Sequence, residues 1–202
     1  MTSNQSDQLS RLISTSNGII DQTRTSFGDL NVTQLNWKPG ADQWSVAQCL
    51  DHLLTANAAY FPIFESVLNG TRKTTFWESL PVLPRVWGAL LVKSLDPKTT
   101  RKMTAPKIFN PSSSNIDDAI VHRFLDQQSH VISYLRAIAD MDLAKIIISS
   151  PVTNKITYSL MDACRIIVVH ERRHLLQANR VLELVGFPKS DSAVGRSSIA
   201  AG

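Results

Sequence analysis

The stretch "VVHERRHLLQANR" places His170 and His174 four residues apart, with Glu171 directly after the first. On a helix, side chains at i and i+4 share a face, so both imidazoles can address one point. This is also the spacing used by zinc metalloproteases. Counting about 100° per residue from His170, His174 lies at roughly 40°, and Ala163, Ile166, Ile167, Gln177 and Val181 fall within about 60°. Both histidines therefore belong to an apolar core stripe, with Arg165, Arg172 and Glu183 on the opposite side. Imidazole nitrogens in such a stripe need hydrogen bonds or a metal. His52 is the third candidate ligand. It shares its face with Gln48, Thr55, Ala56 and Ala59 and borders the core, as a residue at a cavity wall does. Three histidines would leave an open position for water or substrate. His122 and His130 point away from the Ile120, Phe124 and Val131 stripe and read as surface residues.

Proteolysis is not expected. The extended zincin pattern fails at Gln177 and Arg180, no histidine follows His174, and Glu183 lies roughly 180° from the ligand face. Glu171 is a candidate base or ligand-supporting group. At about 100° from His170, however, a surface or interhelix salt-bridge role suits it better. Gln177 shares the ligand face, where it either hydrogen-bonds a ligand or substrate or simply packs.

Four long helical patterns must position these residues. The first spans roughly Asp7 to Phe27. The second begins at Ser45, where Ser45 and Gln48 form a capping box, and stops at Asn69-Gly70 with a kink at Pro62. The third runs from about Ile116 to Met141, capped by Asn115 or Ser114. The fourth runs from near Ser159 to near Val185, with Gly186 beyond it. The segment "KIIISSPVTNKITYS" reads as a short hairpin or an extended loop, and "WGALLVKSL" as a short helix. The pattern predicts an all-α fold, a four-helix bundle with long crossover connections. One domain covers residues 1–188, with 69–114 an irregular crossover and 189–202 a disordered tail.

The crossover carries unusual charge. Between Val67 and Ile116, eight basic residues face only Glu78 and Asp96, a net +6 in a chain whose total is +4. Arg101 and Lys102 in this segment are expected to attract an anionic substrate to the mouth of the metal site. A solvated surface is the plainer reading, and nucleic-acid binding is not adopted because few aromatics interleave the charges. Trp77, Trp87, Leu90 and Leu91 would suit a lid or a homodimer contact. Cys49 and Cys164 lie within apolar helical patterns and read as reduced core thiols. With no apolar leader and no membrane-length apolar run, a cytoplasmic protein without a membrane partner is expected.

Taken together, "WSVAQCLDHLLTAN", "ITYSLMDACRIIVVHERRHLLQANRVLE" and "MTAPKIFNPSSS" resemble the DinB/YfiT-like family of four-helix-bundle metalloenzymes over most of residues 5–188. The resemblance implies a divalent metal held by three helix-borne histidines, which His52, His170 and His174 match one for one. Zinc, nickel or iron would suit three imidazoles. It also implies thiol-dependent transfer or isomerisation with a low-molecular-weight thiol. A metal-dependent transferase or hydrolase acting on a small, anionic molecule is the leading expectation. A non-catalytic metal- or ligand-binding bundle that self-associates is the alternative.

Overall fold

A computed structural model describes residues 3–80, 83–96, 109–111 and 113–188. The fold is mostly helical with one small sheet. Helix α1 (Ser3–Phe27) buries Leu9, Ser16, Ile19, Thr23 and Phe27 along one side. The segment that follows contains a short helix, α2 (Val32–Asn36). Asn31 and Gln34 form a capping box there, each satisfying the other's backbone amide.

The expected second helix is two helices. The box at Ser45 and Gln48 starts α3 (Val46–Ala58), and α4 (Phe61–Leu68) follows with Pro62 in its first turn. A proline ring conflicts with the carbonyl four residues back, here Ala58, which is where α3 ends. Gly70 then turns the chain at φ +65, a conformation few side chains tolerate.

The crossover docks on what comes later in the chain. Glu78, buried in a 3-10 turn (Trp77–Ser79), accepts hydrogen bonds from Arg72 Nη2 (2.7 Å), Thr75 N (3.1 Å) and Ser149 Oγ (2.8 Å). Arg72 also donates to the Ile147 carbonyl. Helix α5 (Leu83–Leu95) packs against the hairpin and the last helix.

Helix α6 (Ile120–Ala137) begins four residues later than expected, and neither Ser114 nor Asn115 caps it. The cause is tertiary: Asn36 on α2 donates to the Ile116 carbonyl (2.7 Å) and accepts from its amide (2.8 Å), holding that residue out of the helix. Strands β1 (Ile147–Ser150) and β2 (Thr153–Ser159) form an antiparallel hairpin, the one departure from all-α among the described residues. Helix α7 (Leu160–Leu182) follows directly, with Ser159 Oγ accepting from the Asp162 amide.

Each of α1 and α3 packs against both α6 and α7. The interior has two apolar clusters. One includes Phe27, Leu50, Leu53, Ile120, Phe124, Leu175 and Val181. The other includes Leu9, Tyr60, Phe64, Val131, Leu135, Ile138, Tyr158 and Ile166. Fully buried side chains such as Phe124 each contribute about 1.5–3 kcal/mol of transfer free energy. Cys49 and Cys164 are free and buried, and burial raises both thiol pKa values, that of Cys164 to about 12. No helix among the described residues is long and apolar enough to cross a membrane.

Candidate metal centre

Two helices bring three imidazoles together. The capping box fixes the start of α3, and His52 lies in its second turn. The start of α7 is fixed by the hairpin, where the Leu160 amide donates to the Ile146 carbonyl (2.8 Å). His170 and His174 follow on the side of α7 that meets α3. One ring nitrogen from each of His52, His170 and His174 lies within 4.8 Å of the others. The ring centroids are 4.4 to 4.9 Å apart, and His52 Nε2 is 3.0 Å from His170 Nε2.

His52 Nδ1 lies 2.6 Å from the Phe109 carbonyl, which can only accept, so Nδ1 carries the proton and Nε2 presents a lone pair to the site. Trp44 stacks on His174 (5.6 Å, 23°) and lies 4.9 Å from the His52 ring, while Phe109 meets His52 edge-on at 6.4 Å. These two aromatics cover His52, which is 1% exposed rather than at the border of the core. His170 and His174 are half-buried, so the ligand face is the wall of a site and not the middle of the core.

Burial lowers the pKa of all three histidines, and their mutual proximity lowers it further for His170 and His174. His174 falls to about 3, although a contact with Gln177 works the other way. The histidines are therefore neutral at pH 7, the form that binds metals.

The residues fit a divalent ion. His174 Nδ1 is buried without a hydrogen-bond partner among the described residues. The 3.0 Å between the two Nε2 atoms is near the roughly 3.3 Å that tetrahedral zinc ligands span. Three neutral nitrogens are also a donor set that zinc and nickel accept.

Glu171 is not at the surface and makes no salt bridge among the described residues. It is fully buried, and its Oε1 accepts from Asn57 Nδ2 on α3 (2.8 Å) and Gln128 Nε2 on α6 (2.5 Å). The reason is that α7 is enclosed on more than one side, so a position 100° from the ligands meets another helix instead of water. Burial raises the Glu171 pKa to about 7 against the opposing effect of those two amides. Gln177 is half-buried near His174. His122 and His130 are exposed on α6.

Arg173 places positive charge beside His170 and His174, and its Nη1 donates to the Ser94 and Asp96 carbonyls at the end of α5 (3.2 and 3.5 Å). With Phe109, this is where the crossover reaches the site. Arg101 and Lys102, expected at the site's mouth, lie outside the described residues, as do Lys98 and Lys107. Trp87 and Leu90 are exposed on α5, while Leu91 packs against the second cluster.

Sequence reasoning passed over Trp44, Phe109, Arg173, Asn57 and Gln128 as site residues. Trp44 had a signal, since an apolar residue just before an N-cap packs back over the helix. Phe109 acts through its carbonyl, which no side-chain pattern reports.

A family model described as the DinB superfamily matches residues 19–178, a span that holds all three histidines. No curated protein and no solved structure matches the chain. With so large a part of its length matched, the chain belongs to the DinB superfamily.

Proposed function

We propose that this protein is a metal-dependent enzyme acting on a small molecule, with His52, His170 and His174 as the ligands of a divalent ion, zinc or nickel in preference to iron. The observation that carries this reading is the convergence of three neutral imidazoles from two helices, one of them locked in its tautomer by the Phe109 carbonyl. When bound there, such an ion keeps its full charge and supplies Lewis-acid activation of a water or thiol. In this reading the chain's own residues do the rest. The Phe109 carbonyl orients His52, and Trp44 and Phe109 shield the ligands from bulk water. Gln177 hydrogen-bonds a ligand or the substrate. Arg173 adds positive charge that favours an anionic substrate, which suits a carboxylate-bearing, low-molecular-weight thiol. The reaction is thiol-dependent transfer, with hydrolysis as the variant that uses water.

The packing of α1, α3, α6 and α7 supports reading the fold as a four-helix bundle. Free, buried Cys49 and Cys164 support a reducing, cytoplasmic setting. A non-catalytic bundle that self-associates is the second reading. It is favoured by the apolar surface at Phe76, Val86, Trp87 and Leu90.

Elemental analysis of the purified chain, followed by a transfer screen with low-molecular-weight thiols, tests the proposal. One ion per chain and thiol-dependent turnover lost in His170→Ala support it. A chain that takes up no divalent ion refutes it. A bound ion with no turnover, together with a dimer dissociated by Leu90→Glu, favours the second reading.

A further inference from the structure

The two apolar clusters meet at a seam, and at that seam each of four helices carries a polar residue. Ser16 lies between Leu9 and Ile19 on α1, and Asn57 between Leu53 and Tyr60 at the end of α3. Gln128 lies between Phe124 and Val131 on α6, and Glu171 between Ile167 and Leu175 on α7. All four are at most 1% exposed. Such a layer costs stability, because Ser16 Oγ, Gln128 Oε1 and Glu171 Oε2 are buried with no hydrogen-bond partner among the described residues, and the bonds to Glu171 Oε1 offset only part of the desolvation. Its value lies in direction.

We propose that this layer, with Glu171 at its hub, fixes the rotational phase of α7 and so aims His170 and His174 at His52; the inference rests on the metal site proposed above. Apolar burial sets that phase only coarsely. Leu160, Met161, Ala163, Cys164, Ile166, Ile167 and Val168 are all buried and cover roughly 220° of the first half of α7 at about 100° per residue, with Asp162 and Arg165 on the remaining side. A small turn within so wide an arc exchanges one apolar contact for another. Directional bonds discriminate where such contacts do not, as a single buried Asn sets register in a coiled coil. Glu171 Oε1 takes hydrogen bonds from Asn57 on α3 and Gln128 on α6, which ties α7 to its packing neighbour α3 and, across the interior, to α6 at once. Asn57 shares α3 with His52, and Glu171 adjoins His170, so one 2.8 Å hydrogen bond joins the two ligand-bearing helices beside the ligands. Turning α7 by about 20° would move an imidazole at the helix rim by about 2 Å. That displacement equals a whole metal–nitrogen bond of roughly 2.0–2.1 Å.

The test compares the whole wild-type chain with three variants: Glu171→Gln, Gln128→Met, and the triple change Asn57→Leu/Gln128→Leu/Glu171→Leu. The probes are zinc affinity by chelator competition, the visible spectrum of the cobalt(II) form, and the urea unfolding midpoint. Gln at 171 keeps an acceptor for both amides and adds a donor beside Gln128, whose Oε1 has no partner among the described residues. It should bind zinc within about twofold of wild type, with the cobalt spectrum unchanged. The triple variant loses no proposed ligand and gains apolar surface. It should unfold cooperatively, yet lose roughly tenfold or more in zinc affinity with a shifted cobalt spectrum. Gln128→Met, which cuts only the tie to α6, should show the same effect in smaller degree. Wild-type affinity and spectrum in the folded triple variant overturn the inference, as do the same results in Gln128→Met if the triple variant does not fold. If the wild-type chain itself binds neither zinc nor cobalt, the metal reading fails and takes this inference with it.

Discussion

Replacing Glu171 by Gln should change the way stability depends on pH. The Glu171 carboxyl is fully buried, and burial lifts its pKa from 4.5 to about 7 even though Gln128 and Asn57 donate to it. Between those pH values the folded chain keeps a proton that the unfolded chain has released. Stability from this group therefore falls as pH rises from about 4.5 to about 7 and is level above that. At about 1.36 kcal/mol per pH unit, the span amounts to roughly 3 kcal/mol. The three histidines act in the opposite sense. Their lowered pKa values make the unfolded chain the better proton acceptor below about 6.5, so acid destabilises the fold through them. The histidines are common to both proteins, so the difference between variant and wild type isolates residue 171. Urea unfolding followed by circular dichroism, with chelator present, should show Glu171→Gln gaining on wild type as pH rises from 5 to 8. The gain should approach roughly 3 kcal/mol. A difference that stays flat across that range would refute the reasoning, and so would one that shrinks.

Three further outcomes are expected. His52→Ala should abolish retention of zinc through dialysis, whereas His122→Ala and His130→Ala, both at exposed positions, should leave it unchanged. Zinc affinity measured by competition should vary little between pH 6.5 and 8, because the ligand histidines are already neutral in the folded chain; a steep fall toward pH 6.5 would contradict their lowered pKa values. Gly88→Ala should lower the melting temperature. A Cβ there would lie 2.5 Å from Asp162 Oδ2, and that carboxylate is held by Ser159 and Arg165. The cost should be about 1–3 kcal/mol, as for other overpacked contacts, and an unchanged melting temperature would show that α5 shifts freely on α7.

The sequence by itself determined the elements whose causes are local. Capping residues at Ser45 and Ser159 and the apolar periods around them placed α3 and α7, and helical spacing put His170 and His174 on one face. The amphipathic phase of α6 correctly sent His122 and His130 outward. Where the cause lay elsewhere in the chain, local patterns had nothing to report. The start of α6 depends on Asn36, some eighty residues earlier. Burial of His52 depends on Trp44 and on Phe109, whose backbone carbonyl leaves no trace in side-chain chemistry. Glu171 is the sharpest case. Helical spacing fixes its angle on α7, but whether that angle faces water or protein depends on how many helices surround α7. A hydrophobic stripe identifies one buried face; a helix enclosed by α1, α3 and α5 has several, and only packing decides which polar residue is drawn inside.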